Sequence, residues 1–234
     1  MRFFDRALEN GRSIRVRTTD RGDGDFGPLV QSPGGVGGGL ARRRSDLIDR
    51  SWVWLRQVHG EVCVDVDALG SEAALGTKAD ALVTTRTDIA LAVHTADCVP
   101  IALWSDDGAI AAVHVGWRGL ECGVIASAIV SLRTITTSPL HALIGPSIGP
   151  ECYEFGSDDL DRLAAQFGNF VRAETKEGLT ALDVRKGVHS ELERYGVTIE
   201  IDDAVCTSCD ERFYSHRARN DSGRQALVVW IEES

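Results

Sequence analysis

Two neighbouring apolar runs constrain the fold of this chain more than any other stretch. They span residues 99–104 and 109–113, and the four residues between them, 105–108, are Ser, Asp, Asp and Gly. Apolar runs of this length around a cluster of turn residues are typical of a β-hairpin. Cys98 and His114 stand at the outer ends of the two runs, where the hairpin would begin and end.

The hairpin places these two side chains together. A three-residue loop at 105–107 pairs Trp104 with Gly108 and puts Cys98 opposite His114, and a two-residue loop shifts that partner by one position. Directly opposed Cβ atoms in a hairpin lie about 4.5–5.5 Å apart. We therefore expect the thiol and the imidazole to be close in either register.

A thiolate and an imidazole are typical zinc ligands, and zinc in proteins takes four ligands tetrahedrally. Two protein ligands are too few, and His59 is the candidate third, because it ends the strand pattern "WLRQVHG" just before Gly60. Three protein ligands leave a fourth position for water or substrate, as in catalytic zinc sites. Spacing alone also allows the commoner alternative of a buried thiol and a structural core histidine.

The order of apolar patterns indicates the fold class. Residues 52–115 are rich in strand patterns joined by short turns, whereas 120–134 shows apolar residues at helical spacing. This predicts an α+β protein, a layered α/β sandwich with mixed, largely antiparallel sheets flanked by helices. We expect one domain over 1–234, with a glycine-rich mobile loop at about 20–45.

Charge and composition exclude several classes. The formal net charge of −10 argues against nucleic-acid binding, which needs phosphate neutralisation. No apolar stretch reaches the 18 residues of a membrane span, and the N-terminus lacks the apolar core of a signal peptide. We expect a cytoplasmic monomer with no membrane partner. Its six cysteines then indicate thiols, ligands or a nucleophile rather than a disulfide framework, and the single CxxC pair, Cys206 and Cys209, does not make a zinc ribbon.

Arg118 is a candidate anion ligand. It lies in "GWRG", immediately before a predicted helix that starts near Leu120, and helix N-termini beside an arginine bind anions. The alternative is a surface charge on a turn. Asp97 precedes Cys98, but strand neighbours point to opposite faces, so we expect a supporting role for Asp97 rather than a ligand role.

A basic segment follows near the C-terminus, at 213–224. It predicts either a pocket for an anion or nucleobase, or ion pairs with the acidic residues just before it, and both interpretations stay open. Its polar members are Tyr214, His216, Arg217, Arg219 and Arg224. Three other histidines are expected to be structural or exposed: His94, His141 and His189.

Five motifs together resemble the bacterial laccase-domain family. They are "RQVHG", "ADCVPI", "HVGWRG", "IGPSIGPECYEFG" and "CTSCDERFYSHRARNDSGRQ", in this order between about residues 52 and 231. The resemblance implies that His59, Cys98 and His114 bind a metal, zinc by preference, with copper as a substitute. The chain departs from the family before Trp52, where it has no asparagine after Gly11, and this bears on substrate preference more than on metal binding.

Members of that family are described as polyphenol oxidases or as purine nucleoside phosphorylases with adenosine deaminase activity. The resemblance therefore implies a zinc enzyme in which activated water or phosphate attacks a purine nucleoside, with phosphate as the second substrate. Catalytic roles would fall to the three metal ligands and Arg118, and substrate binding to Tyr214, His216 and Arg217.

Three other functions remain open from the sequence. The first is copper-dependent phenol oxidation, although six histidines and no HxH pair exclude a four-copper centre of the usual kind. The second is a metal-free hydrolase with Cys98 as nucleophile and His114 or His59 as base. The third is a zinc- or nucleoside-binding protein without catalysis.

Overall fold

One β-sheet contains the first and the last of the described strands. The computed structural model describes residues 2–27 and 37–233, and elements are numbered in chain order. The pairing is antiparallel except between the last two strands of the sheet, which run parallel. In spatial order the strands are β1 (Arg2–Ala7), β2 (Arg12–Thr18), β13 (Gln225–Glu233), β6 (Ile89–Thr95) and β3 (Ser51–Trp54).

A second sheet of six strands contains the predicted hairpin at its centre. Its outermost pairs at both edges are parallel and the central pairs are antiparallel. In order the strands are β12 (Thr198–Asp202), β9 (Leu140–Ile144), β7 (Val99–Ser105), β8 (Ile110–Val115), β5 (Ala81–Thr84) and β4 (Cys63–Asp65). A separate antiparallel pair is formed by β10 (Arg172–Glu174) and β11 (Thr180–Leu182).

Eight α-helices occur in the described ranges, and the longer ones lie outside the two sheets. Residues from both sheets, among them Leu91, Trp104 and Val229, form one buried cluster between them. A second cluster joins the outer face of the six-stranded sheet to the helices that follow β8. The predicted α+β sandwich is confirmed. The helices are α1 (Gly37–Leu47), α2 (Val66–Leu69), α3 (Ser71–Ala74), α4 (Trp117–Cys122), α5 (Val124–Ile135), α6 (Ser157–Phe167), α7 (Val184–Arg194) and α8 (His216–Arg219).

The register of the hairpin differs from the prediction. Pro100, not Cys98, pairs with His114, and Trp104 pairs with Ile110. The reason is Gly108, which adopts φ +99° and therefore belongs to the turn instead of the strand. The paired residues of this strand begin at Val99, so Cys98 itself has no partner on β8. Cys98 nevertheless lies two residues from Pro100, which pairs with His114, and residues two apart in a strand point to the same face.

The segment predicted as a glycine-rich loop is partly helical. Helix α1 begins at Gly37, and its Leu40 packs with Phe26, Ile48 and Trp52 in a buried cluster on the outer face of the five-stranded sheet. This burial outweighs the low helix propensity of the glycines. Residues 28–36 of the predicted loop lie outside the described part of the chain. Within that part, no helix combines the length and apolar character needed to cross a bilayer.

Candidate metal centre and adjoining cavity

The three predicted ligands meet at one end of the sandwich. His59 follows β3, Cys98 directly precedes β7, and His114 is the penultimate residue of β8. One donor atom of each residue lies within 4.8 Å of the others. The Cys98 Sγ is 3.7 Å from the His59 Nε2, and the two imidazole ring centres are 4.9 Å apart in an edge-to-face arrangement. The structure thus brings together residues separated by up to 55 positions in the chain.

The buried carboxylate of Asp80 positions two of these three residues. Its Oδ1 accepts a hydrogen bond from the His114 Nδ1 at 2.9 Å. The two oxygens of this carboxylate also accept from three successive backbone N–H groups of the loop that carries His59, at 2.8–3.2 Å. Because Nδ1 of His114 is occupied, its Nε2 is the nitrogen available to a metal. A carboxylate behind a histidine in this way is the usual support of a metal-bound imidazole.

Backbone geometry at the centre is unusual for the residue types involved. His59 adopts φ +59° and Asp97 φ +102°, both in the region that favours glycine. The hydrogen bonds to Asp80 stabilise the first of these conformations, and strain of this kind is concentrated at functional sites. Gly116 is required for space: a Cβ there would lie 2.4 Å from the His59 Cδ2 and 3.3 Å from the Cys98 Sγ.

The charges of the centre support one another. Burial alone would raise the pKa of Cys98, but the facing His114 and the hydrogen bonds from both imidazoles lower it to about 6. Burial alone would lower the pKa of His114, but the Cys98 thiolate and the Asp80 carboxylate raise it to about 9. Without a metal, this predicts a thiolate and an imidazolium side by side at neutral pH.

The donor set fits a divalent metal of borderline softness. One thiolate and two imidazoles are typical ligands of zinc in catalytic sites, and imidazole also suits copper. The edge-to-face imidazoles and the thiol converge from three different segments onto one point, and Asp80 provides the supporting carboxylate. These features identify His59, Cys98 and His114 as the residues that could hold such an ion.

A cavity of about 480 Å³ opens beside the three residues. This volume is in the range of small-molecule sites. Beyond the three candidate ligands, its described walls include two of the predicted substrate-binding residues, His216 and Arg217. Arg224 of the basic segment also lines it, as do Arg56 and His94, for which no substrate role was predicted.

Two other predicted site residues lie elsewhere among the described residues. The Tyr214 ring is not part of the cavity wall but stacks under the Arg21 guanidinium, 4.5 Å away. The exposed Arg118 guanidinium lies 4.5 Å from the ring of its neighbour Trp117 and is also absent from that wall. The roles proposed for them from sequence stay predictions. Arg118 is the second residue of helix α4, which begins at Trp117 and is six residues long, so Arg118 does not precede a helix near Leu120 as predicted.

In the basic segment at 213–224, one arginine faces the cavity and another stabilises the neighbouring loop. Arg219 donates to the carbonyls of Thr207, Ser208 and Phe213 at 2.8–3.0 Å, so it stabilises its own loop. Arg217 instead faces the cavity, held by the Glu154 carbonyl at 3.0 Å. The predicted supporting role of Asp97 agrees with the geometry.

Asp97 joins the cysteine of the centre to the basic segment. Its Oδ1 accepts from the Thr207 hydroxyl and its Oδ2 from the Arg217 backbone N–H, both at 2.7 Å. These contacts turn the Asp97 carboxylate away from a ligand role. They also fix the start of α8, which carries His216, against the segment that carries Cys98.

Sequence reasoning missed three residues of this region. Asp80 had a detectable signal, a lone carboxylate immediately before the apolar strand β5. His94 was expected to be structural or exposed, but its 3% exposed side chain lines the cavity, and neither ring nitrogen has a partner among the described residues. Burial, together with nearby charges such as Arg44, lowers the pKa of His94 to about 3, so its ring is neutral. No sequence signal marked Gly116 as a spacer for His59.

Comparison with known proteins assigns the family. The sequence model of a family described as multi-copper polyphenol oxidoreductase laccase matches residues 40–232. The chain belongs to this family. The match includes all three candidate metal ligands of this laccase-family chain and the basic segment near its C-terminus.

Proteins with sequences similar to this chain carry a different description. A purine nucleoside phosphorylase of Streptomyces coelicolor is 36% identical over 211 residues, covering 88% of this chain and 86% of the relative. Another of Corynebacterium glutamicum is 35% identical over 195 residues, covering 81% and 79%. Among solved structures, a Neisseria meningitidis protein superposes with a TM-score of 0.79 at 25% identity over the full length of both chains.

Proposed function

We propose that this protein is a zinc-dependent purine nucleoside phosphorylase that also deaminates adenosine. The observation that carries the proposal is the convergence of His59, Cys98 and His114, supported by Asp80, on the wall of a cavity that also contains Arg217. Two relatives at 35–36% identity are named purine nucleoside phosphorylases. The donor set supports zinc, and the basic wall supports an anionic second substrate.

A zinc ion held here would supply a Lewis acid that activates water or a phosphate oxygen near neutral pH. The protein's own residues do the binding and orienting. Asp80 keeps the His114 Nδ1 engaged, so that the ring cannot turn away from the cavity. In this proposal, phosphate displaces the purine from C1′ of the ribose to give ribose 1-phosphate and free base, and water displaces ammonia from C6 of adenosine.

Arg217 is the phosphate ligand that the geometry favours. Its guanidinium lies 4.8 Å from the Tyr153 ring centre and donates one N–H to the Glu154 carbonyl. The remaining N–H groups have no partner among the described residues and can donate to an anion as a fork. Arg224 and His216 add positive or donor groups on the same wall.

His94 is suited to recognition of the purine. A buried neutral imidazole offers one donor and one acceptor, which match the edge of a purine base. Gln57 fixes the backbone of His94 through hydrogen bonds of 2.7 and 2.8 Å, so the ring is presented on a rigid strand end. We expect His94→Leu to raise the KM for nucleoside while leaving the zinc content unchanged. An unchanged KM would remove His94 from the site.

The direct test is turnover by purified, zinc-loaded protein. Inosine with phosphate should yield hypoxanthine and ribose 1-phosphate, and adenosine alone should yield inosine and ammonia, all separable by chromatography. Cys98→Ser should abolish both reactions. Cys122→Ser is the matched control, because Cys122 is an exposed thiol on α4 outside the cavity. Absence of turnover in every pairing, with nucleoside still bound, would favour a binding protein instead.

A metal-free cysteine hydrolase is the second candidate. The observation that favours it is the Cys98 thiol, with a pKa near 6 and a His59 nitrogen 3.7 Å away, as a nucleophile and its base require. In that case iodoacetamide inactivates the enzyme and a chelator does not. The zinc proposal predicts that the chelator alone removes activity and that added zinc restores it.

The family description makes copper-dependent phenol oxidation the third reaction to test. Metal analysis of protein produced without added copper distinguishes it from the zinc proposal. Under our proposal that protein contains zinc and catalyses phosphorolysis. Phenol oxidation that appears only after copper is added, with no phosphorolysis by the zinc form, would replace the proposal.

A further inference from the structure

A second cluster of metal-binding side chains lies outside the cavity. The donor atoms of Glu151, Cys152, Cys206 and Cys209 all lie within 4.8 Å of one another. The Cys152 and Cys209 Sγ atoms are 3.3 Å apart, and the Cys209 Sγ is 3.5 Å from the Glu151 Oε1. We refer to these four residues as the cysteine cluster.

Two distant segments build the cysteine cluster. Glu151 and Cys152 lie in a short 3₁₀ turn, Pro150–Cys152, that follows the Gly-Pro loop after β9. The CxxC pair lies in a turn after β12, and Cys206 forms a bridge with Ser147 that joins this turn to the same loop. The sequence pattern showed only the CxxC pair. The backbone pairing of Cys206 with Ser147 brings the loop that carries Cys152, the third thiol, next to this pair.

Hydrogen bonds around the sulfur atoms favour the thiolate form that a metal requires. The Gly149 backbone N–H donates to the Cys206 Sγ at 3.1 Å. The Lys176 Nζ donates to the Cys209 Sγ at the same distance. Donors aimed at sulfur support metal-bound thiolates in the way that outer hydrogen bonds support other ligands.

We propose that the cysteine cluster is a structural zinc site. Three thiolates and one carboxylate supply the four ligands of a closed tetrahedral site, and soft thiolates select zinc over magnesium or calcium. A disulfide would use two of the sulfur atoms and leave the third thiol and the carboxylate facing it without a function. The inference does not depend on the proposed nucleoside chemistry.

The position of the site indicates what it would stabilise. The CxxC turn includes Thr207, whose hydroxyl donates to Asp97, the residue next to Cys98. Asp97 also accepts from the Arg217 backbone N–H. Zinc in the cysteine cluster would therefore hold the segment that carries Arg217 against the wall of the cavity, without itself contacting a substrate there.

The test uses the full-length chain and counts zinc by elemental analysis after saturation with zinc and removal of loosely bound metal. The Cys98→Ser protein, in which the first site is damaged, should retain one zinc per chain. Cys209→Ser should lose one zinc relative to the otherwise unaltered protein, and the control Cys122→Ser should lose none. A Cys98→Ser protein without zinc would overturn the proposal.

A spectroscopic measurement covers the case in which Cys209→Ser does not fold. Cobalt loaded into the Cys98→Ser protein should give the intense sulfur-to-metal charge-transfer absorption of several thiolate ligands. Its absence contradicts the site. So does a finding that Cys152 and Cys209 can be alkylated only after reduction, because that outcome shows a disulfide in place of the metal.

Discussion

The two clusters of potential metal ligands differ in the number of donors and in their position relative to the cavity. The first, His59, Cys98 and His114, offers three donors on the wall of a cavity. The cysteine cluster offers four donors between two turns, and its Cys209 is exposed at the surface. Three protein ligands are typical of catalytic zinc and four of structural zinc. Under the two proposals, the first site therefore serves catalysis and the second stability.

The thiols themselves differ between the two clusters. Two imidazoles face Cys98 and lower its pKa to about 6 in spite of burial. Cys206 is surrounded by other thiols and by Glu151, and burial raises its pKa to about 12 although backbone N–H groups oppose the change. The charge of His114 and the hydrogen bonds from both imidazoles thus favour a thiolate at Cys98 without a metal. At Cys206, a bound cation would be needed to hold a thiolate at neutral pH.

The largest effect that can test this comparison is expected from Gly116→Ala. The new Cβ would lie 2.4 Å from the His59 Cδ2 and would displace this ring, although φ −82° suits alanine. We expect loss of most of the phosphorolysis activity and of the zinc bound beside the cavity, with the cysteine cluster still loaded. Gly156→Ala is the control, because a Cβ there meets no atom within 4 Å. Equal activity of the two variants would contradict the role of His59.

Asp80→Asn should weaken zinc binding in the first site only. The amide cannot accept from the His114 Nδ1 and from three backbone N–H groups as the carboxylate does, and loss of such a support costs about 10–100-fold in metal affinity. Competition with a chromophoric chelator measures the affinity. Asp88→Asn is the control, since Asp88 is an exposed carboxylate paired with Arg86. An unchanged affinity would mean that Asp80 only stabilises the loop.

The thiol pKa values predict a difference in alkylation of the metal-stripped protein. Because the pKa of Cys98 is lowered, its thiolate persists above about pH 6 and is lost below it. Its rate of reaction with iodoacetamide should therefore reach half its plateau near pH 6, as measured by peptide mass mapping. Cys206, with its raised pKa, should not react at neutral pH. Titration of both thiols near the ordinary value of about 8.5 would contradict the contrast.

The smallest effect is expected from Lys176→Met. Lys176 donates to the Cys209 Sγ at 3.1 Å but is fully exposed, so solvent screens most of its contribution. Zinc affinity of the cysteine cluster should fall about 2–5-fold, with no change at the first site. Chelator competition on the Cys98→Ser background isolates the measurement. A much larger loss would indicate that Lys176 holds the turn itself, which a lower Tm of the metal-free protein would show.

Local pattern predicted the hairpin and offered the three candidate ligands as one of two interpretations, and the resemblance to the laccase-domain family favoured the metal site. The apolar runs before and after the turn predicted two adjacent strands, and either register brought Cys98 near His114. The register itself was wrong because Gly108 belongs to the turn at φ +99°, a property of one backbone angle. Cys98 and His114 are close in spite of this error, because the register differs by two residues and residues two apart in a strand point to the same face.

Elsewhere the pattern was insufficient because the decisive contacts join distant segments. The glycines of α1 concealed a helix that is stabilised by burial against the sheet. His94 carried no signal, since only the packing of the sheets decides whether a buried histidine faces an apolar cluster or a cavity. The basic segment could not be divided in advance, because Arg217 and Arg219 are two residues apart and yet have different environments.

The amino-acid order by itself determined the sandwich of strands and helices and the hairpin that brings Cys98 near His114, because those depend on local periodicity and short turns; His59 was chosen with them through the family motifs. The tertiary structure alone decided that Asp80 supports two of them, that Gly116 leaves room for His59, and that Cys152 joins the CxxC pair. The physical reason is range: hydrogen bonds, van der Waals contacts and metal coordination act over a few ångströms, and only folding brings these segments that close.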